Sequence, residues 1–447
     1  MKTIINRIIS FVIVLFISFS LIGCFNVTNP SVTTEKQPKN LYDLAVEEGF
    51  EGTLDEWILS LFNTGEQKSV YEQAVEQGLF NGTLEEFIKN LKGETGNINI
   101  QEASSFAINS ICSIYSKFTK TVVNWFGGPR DDEYMTAGSG VIIDDNKEEG
   151  IAYIVTNLHV IYDSTSKTGM AETISVYLYG MEYSQYEIDA KFIGGSQTYD
   201  IAVIKIESDI YKNSGAYKAT IGNSRNITAG DTILAIGNPE AEGISVTSGI
   251  VSVEDETIEI TNPNNRVQDN FRVIRIDAAV NGGNSGGGIF NTNGELVGIV
   301  NAKEVDTEIE GMGYAIPSNI VSAIAKKIIS TCDGETKTTT SIVTLGVEFV
   351  VSESKSEYSS EQKRTKIVQT ISVSDIELLS VANGKLNKKD VIVNIKINNE
   401  TIIVDHISVI EDTLLRLSKG DTIIFTILRN NEIKEISIVL NNEINLT

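Results

Sequence analysis

Three residues carry the types that nucleophilic catalysis requires. Ser285 stands in the run Asn281-Gly282-Gly283-Asn284-Ser285-Gly286-Gly287, His159 in Thr156-Asn157-Leu158-His159-Val160, and Asp200 opens Asp200-Ile201-Ala202-Val203. A serine hydroxyl is a weak nucleophile until an imidazole takes its proton, and a carboxylate fixes the tautomer of that imidazole. Glycines beside the serine let backbone N–H groups converge on the oxyanion of a tetrahedral intermediate. Gly283 and Ser285 are the positions whose N–H groups would do so. Each residue has an ordinary reading as a satisfied surface histidine, a capping aspartate or a polar turn. It is their occurrence together, each at the end of a β-type run, that points to acyl transfer.

Chain order separates the kinds of serine hydrolase. Gly283-Asn284-Ser285-Gly286-Gly287 matches the G-x-S-x-G elbow of α/β-hydrolases, but that elbow leads into a helix and precedes its Asp and His. Here Ile289-Phe290, a turn at Asn293-Gly294 and another strand follow, and the only later histidine is His406, outside this domain. The order His159, Asp200, Ser285 is that of chymotrypsin-like enzymes. An esterase on the same barrel and a non-catalytic surface adaptor are the competing readings. Small ester and peptide substrates separate the first, and the second leaves the glycine-rich loop unexplained.

The elements that must hold these residues are short β-type runs broken by Gly, Asn and Asp between about Ser105 and Ser330. They include Gly140–Ile143, Ala152–Thr156, Ile201–Ile206 and Glu295–Val300. This texture predicts an all-β barrel domain over 104–331. A Thr/Lys-rich linker, 333–341, precedes a second alternating region over 342–441. In that region Ile410, Leu414, Leu415 and Leu417 are spaced for one helical face.

Upstream, Lys2 and Arg7 precede an apolar run, Ile8 to Ile22, short for a membrane span but suited to a secretory signal, with an uncleaved N-terminal anchor helix as the competing reading. It ends in Leu21-Ile22-Gly23-Cys24, which resembles the bacterial lipobox. This predicts a signal peptide over 1–23 and lipidation of Cys24, tethering the protein to the extracytoplasmic face of a bacterial membrane. Residues 24–40 read as the tether. Residues 41–95 hold a tandem repeat in which Gly52-Thr53-Leu54-Asp55-Glu56-Trp57 recurs as Gly82-Thr83-Leu84-Glu85-Glu86-Phe87. Thr53 with Glu56, and Thr83 with Glu86, have capping-box spacing, so each unit reads as a small helical hairpin.

The composition excludes other classes. The 447 residues include 36 Lys and Arg against 60 Asp and Glu, a net charge of −24, which repels phosphate backbones and argues against nucleic acid as a partner. Two histidines and three cysteines are too few for a His/Cys zinc cluster, and the chemistry above needs no metal or organic cofactor. Cys112 and Cys332 stand near the two ends of the barrel domain, and the sequence leaves open whether they pair.

From about residue 105 onward the chain resembles the HtrA (Deg) group of trypsin-like serine proteases. The resemblance rests on Ala137-Gly138-Ser139-Gly140, the His159 and Asp200 segments, Ile236-Gly237-Asn238-Pro239, Val246-Thr247-Ser248-Gly249-Ile250-Val251-Ser252, Asp277-Ala278-Ala279 and Gly313-Tyr314-Ala315-Ile316-Pro317. It implies a chymotrypsin-like double β-barrel followed by a PDZ domain, with His159 as general base, Asp200 as its orienter and Ser285 as nucleophile. It implies an oxyanion hole at Gly283 and Ser285, and peptide capture by Leu345, Gly346 and Val347 in Thr344-Leu345-Gly346-Val347. It further implies regulatory loops near 253–271, 281–285 and 301–313, unfolded or C-terminally exposed polypeptides as substrates, a preference for small aliphatic side chains before the scissile bond, and a homotrimer. The chain departs from the family in having Gly287-Gly288-Ile289 where Gly-Pro-Leu is usual, and Lys389 where a glycine usually precedes the Asp-Val-Ile run.

Overall fold

The computed structural model describes residues 100–445 except 125–127, 262–267, 303–310, 332–337, 340, 360–363 and 399. The expected signal segment, Cys24, the tether, the hairpin repeats and Cys332 lie outside the described residues.

Helix α1 (Ile100–Ala107) leads into a first barrel of β1 (Ile111–Asn124), β2 (Gly128–Asn146), β3 (Ile151–Thr156), β4 (Thr173–Leu178), β5 (Ile188–Ser196) and β6 (Ile201–Glu207). The order β5-β4-β1-β2-β3-β6 is closed by a β5–β6 pairing. A one-turn helix, α2 (Leu158–Ile161), follows β3, and α3 (Asp209–Asn213) follows β6. The second barrel is β7 (Thr232–Gly237), β8 (Ser245–Thr261), β9 (Gln268–Ile276), β10 (Gly288–Phe290), β11 (Leu296–Val300) and β12 (Gly313–Pro317), closed in the order β10-β11-β12-β9-β8-β7. Two closed six-stranded barrels are the chymotrypsin-like architecture.

Strand periodicity explains how one chain fills two barrels and the seam between them. Successive side chains point to opposite faces. Ile142 and Ile154, paired across β2 and β3, enter the interior of the first barrel with Ile114, Val176 and Ile204. Their neighbours Val141 and Val155, also paired, point the other way and join Leu234, Ile236, Phe290 and Ile299 of the second barrel. Helix α4 (Ser318–Thr331) lays Ile320, Ile324 and Ile328 on that shared cluster. Ile233, Val251, Ile274, Ile289 and Val300 fill the second barrel. Strands buried on both faces read as continuous apolar runs, as β11 does.

A short β13 (Thr338–Thr339) adds in parallel to β5, and a further lobe follows. It contains β14 (Ser341–Thr344), β15 (Val347–Ser359), β16 (Arg364–Ile376), β17 (Val391–Ile397), β18 (Glu400–Ile403), α5 (Ser408–Leu415), β19 (Thr422–Arg429), β20 (Glu432–Val439) and β21 (Asn442–Asn445). Its sheet runs β15-β16-β17-β19-β20, with β18 on β17, while β14 pairs with β21. Ile371, Ile392, Ile395, Phe425 and Ile438 form its core.

The residues expected on one face of α5 divide between two cores. Ile410, Leu414 and, two residues past the helix end, Leu417 pack in this lobe, whereas Leu415 belongs to the cluster at the barrel seam. The same helix presents Glu411 and Asp412 to Arg272 of β9, whose guanidinium lies 3.1 Å from Glu411 Oε2 and 2.5 Å from Asp412 Oδ1. Tyr199 Oη donates to Glu411 Oε1 at 3.1 Å and Asn319 Nδ2 to Asp412 Oδ2 at 3.1 Å. Burial opposes the charge on Arg272, but Asp412, Glu411 and Asp255 outweigh it and raise its pKa.

Cys112 is a free thiol, fully buried in β1, where Sγ donates to the Gly140 carbonyl at 3.5 Å. Burial pushes its pKa far above the ordinary thiol value, which leaves it unreactive.

Candidate active site

His159 sits in α2, at the end of β3, and Asp200 sits on the turn that starts β6. Because β3 and β6 pair antiparallel, with Thr156 opposite Ala202, the end of one strand faces the start of the other. His159 Nδ1 lies 2.6 Å from Asp200 Oδ2. The second carboxylate oxygen, Oδ1, accepts the backbone N–H of His159 at 3.0 Å. The Asp200 carbonyl accepts from Leu158 N at 3.1 Å and from Asn157 Nδ2 at 3.1 Å. Asp200 takes φ = 49°, a left-handed conformation that Asp tolerates better than most residues. This turn lets one residue grip the histidine segment with both side chain and backbone.

Ser285 lies in the loop between β9 and β10, on the second barrel, and is 6% exposed. Its carbonyl accepts the Ser139 N–H of β2 at 2.8 Å, which draws the loop onto the first barrel. Gly286, next in the chain, has φ = 84°, and a Cβ there would run into the Ser139 carbonyl and Thr156 Oγ1. Close approach of two backbones is the reason for a glycine at this position.

The Ser285 hydroxyl accepts the Ala302 N–H at 3.2 Å. Among the described residues, no hydrogen bond joins it to the His159 ring. The structure thus pairs His159 with Asp200 and places Ser285 at the same barrel seam, with its hydroxyl turned to Ala302.

The loop before Ser285 is held by its carbonyls. Gly282 O accepts from Glu240 N at 2.8 Å, and Gly283 O accepts from Ser139 Oγ at 2.8 Å. The N–H groups of Gly283 and Ser285 have no acceptor among the described residues. Two unpaired amides on either side of Asn284 are what a developing oxyanion requires.

Two polar residues at this site escaped the sequence reading. Asn301, just past β11, is 6% exposed and donates from Nδ2 to Asp200 Oδ2 at 3.0 Å. Ser139 meets both Gly283 and Ser285. Neither has a local signal, since an Asn after a strand and a Ser between glycines are ordinary turn and strand residues. The one pointer was the position of Ser139 inside the Ala137–Gly140 motif.

The Leu345-Gly346-Val347 segment lies in the last lobe, between β14 and β15. Leu345 is buried, Gly346 takes φ = 61°, and Val347 begins β15. The Gly346 N–H donates to Thr344 Oγ1 at 3.3 Å, and its carbonyl accepts from Glu377 N at 2.9 Å. Beside it is a cavity of about 500 Å³ lined by Leu345, Val347 and Phe349, by Ile410 and Leu414 of α5, and by Arg272 of the second barrel. Among the described residues, no group of three or more His, Cys, Asp or Glu side chains is placed to hold a metal ion.

A model of the trypsin-like peptidase domain matches residues 138–299, which contain His159, Asp200, Gly283 and Ser285. Serine protease Do-like HtrA of Lactobacillus helveticus is 30% identical over 309 residues, 67% of this chain and 67% of that protein. Serine protease Do-like HtrA of Bacillus subtilis is 38% identical over 202 residues, covering 45% of this chain and 41% of that relative. Periplasmic serine endoprotease DegP of Escherichia coli is 39% identical over 204 residues, covering 45% and 38%. The chain therefore spans about two-fifths of the length of the last two relatives.

Proposed function

The chain belongs to the HtrA family of trypsin-like serine proteases, and from that premise we propose that it is a serine endopeptidase in which His159, Asp200 and Ser285 form the catalytic triad. The observation that carries the reading is the 2.6 Å His159–Asp200 pair, set at the barrel seam beside a serine loop with two unpaired amides.

The chemistry follows from these positions. Asp200 accepts a hydrogen bond from the Nδ1–H of His159, which keeps the proton on Nδ1 and leaves the Nε2 lone pair free to act as base. The Ser285 hydroxyl, an acceptor toward Ala302 N–H, has its proton free to donate to Nε2. It then attacks the scissile carbonyl carbon as its proton passes to Nε2. The carbonyl π pair moves onto oxygen, and the N–H groups of Gly283 and Ser285 hold that oxyanion. Collapse expels the amine, which takes the proton from Nε2 and leaves an acyl-Ser285. Water attacks the ester with the same histidine as base, releasing the acid and restoring the hydroxyl.

The last lobe acts as a PDZ-type module. A peptide C-terminus is held at Leu345-Gly346-Val347, and its chain adds as a strand to the free edge of β15. The cavity beside that segment, with Leu345, Val347, Phe349 and Ile410 in its wall, supports this assignment, as does the edge position of β15. The substrates are unfolded or C-terminally exposed polypeptides. Lipid on Cys24 tethers the protein to the extracytoplasmic face of the membrane, and the protein assembles as a homotrimer.

The test compares residues 26–447, wild type and Ser285→Ala, on casein, with and without hydrophobic C-terminal peptides. Cleavage by the wild type alone is expected, and stimulation by peptide supports the module. If neither cleaves casein and a fluorophosphonate leaves wild-type Ser285 unlabelled even with peptide present, the reading fails in favour of a surface adaptor.

A further inference from the structure

We infer that Ser139, on the opposite barrel from the nucleophile, is a positioning residue that sets the oxyanion loop for catalysis. The inference rests on the protease reading above. Ser139 lies in β2 and is fully buried. All of its hydrogen-bonding groups are engaged. Its N–H donates to Ser285 O at 2.8 Å, and its carbonyl accepts from Thr156 Oγ1 at 2.7 Å. Its hydroxyl donates to Gly283 O at 2.8 Å and accepts the Asn238 N–H at 2.8 Å.

The geometry matters because of what lies between these bonds. Gly283 O and Ser285 O are held by one residue, so the chain between them, Asn284 and the Ser285 amide, has its path fixed at both ends. A trans peptide points its N–H opposite to its C=O. Pinning the Gly283 carbonyl therefore orients the Gly283–Asn284 peptide, whose N–H donates to Asn281 O at 3.0 Å, and so fixes the plane that joins the two oxyanion amides on either side of it. Glu240 N pins the Gly282 carbonyl and so aims the Gly283 N–H.

The two clamps share an origin. Asn238 reaches the loop through the Ser139 hydroxyl, while Glu240, two residues on, reaches it directly. Glu240 and Ala241 have φ of 54° and 61°, left-handed values that cost non-glycine residues energy and persist only when surroundings hold them. The hydroxyl of Ser139 is a relay, Asn238 N–H to Ser139 Oγ–H to Gly283 O. It ties a strained turn of the second barrel to the oxyanion loop through the wall of the first. Removing the hydroxyl leaves Asn238 N–H and Gly283 O without this partner and frees the loop to turn its amides away.

The experiment measures Ser139→Ala and Ser139→Cys against wild type with a chromogenic peptide substrate, a peptide boronate of the same sequence, and a fluorophosphonate. Thermal unfolding establishes that each variant is folded. For Ser139→Ala, kcat is expected to fall about 10- to 100-fold, less than for outright loss of an oxyanion donor. KM is expected to stay within about twofold, and boronate affinity to fall by the same factor as kcat, because only the tetrahedral adduct uses the oriented amides. Ser139→Cys, which keeps a weak donor, is expected to fall between the two. A folded Ser139→Ala with unchanged kcat overturns the inference, as does a fall in kcat with boronate affinity unmoved. Wild-type protein that neither cleaves nor labels overturns the protease reading itself and the inference with it.

Discussion

Asn301 Nδ2 lies 3.0 Å from Asp200 Oδ2, the same oxygen that stands 2.6 Å from His159 Nδ1. One carboxylate oxygen thus takes bonds from an imidazole on the first barrel and an amide on the second. The His159 N–H occupies the other oxygen, so the carboxylate is held in one plane. Hydrogen bonds to a charged group contribute about 1.5–3 kcal/mol each. Asn301→Ala is therefore expected to lower kcat/KM by roughly 10- to 100-fold, with Asn301→Ser recovering part of it. Steady-state kinetics on the folded variants check this, and unchanged kcat/KM in Asn301→Ala would sink it.

Gly283 takes φ = 92°, and a Cβ there would run into the Asn238 carbonyl oxygen and come within 2.8 Å of Glu240 N. Both atoms belong to backbone, so a side chain can be accommodated only by moving the loop. Gly283→Ala is expected to reduce kcat by about 10²–10³-fold, the loss typical of one oxyanion donor. Fluorophosphonate labelling should slow in parallel, since that reagent also passes through an oxyanion. Normal labelling kinetics would show that the loop tolerates a Cβ and that Gly283 N–H is not a donor.

Arg272 is 8% exposed at the side chain and faces Asp412, Glu411 and Asp255 across the join between barrel and last lobe. Removing one partner of a buried ion pair leaves unpaired charge, at a cost of about 3–5 kcal/mol. Arg272→Ala is expected to destabilise by about 3 kcal/mol, discounted because Glu411 is only half-buried. Urea unfolding should show it, together with faster trypsin cleavage between the lobes. A midpoint equal to wild type would mean that the pair contributes nothing net.

Glu411 gives the same join a pH dependence. Burial raises its carboxyl above the ordinary value of 4.5, Arg272 opposes the rise and Asp412 adds to it. A carboxyl with a raised folded pKa binds its proton more tightly when folded. Its contribution is fully present below the unfolded pKa and is lost as pH rises through the folded one. The window therefore begins near pH 4.5 and extends upward. Glu411→Gln is expected to lose less stability than wild type as pH is raised across that window, read from urea midpoints. Parallel midpoint curves would refute it.

What the sequence determined by itself was local. Short apolar runs at Gly140–Ile143, Ala152–Thr156 and Glu295–Val300, broken by Gly, Asn and Asp, mark strands because runs of that length and composition suit a strand buried on one or both faces. Gly283, Ser285 and Gly286 stand together in one loop, and the order of His159, Asp200 and Ser285 excluded the hydrolase elbow without any contact being known. The tertiary structure decided everything that needed both barrels closed. Asn301 meets Asp200 across 101 residues and Ser139 meets Gly283 across 144, and no periodicity registers such distances. It also decided that the Ser285 hydroxyl rests on Ala302, because β11 ends against that loop. Helix α5 shows the limit most plainly. Its apolar spacing reads as one face, but two cores flank it, so Leu415 turns to the barrels while Ile410 stays with its own sheet. Spacing records how many residues seek burial, and only packing supplies the surfaces that bury them.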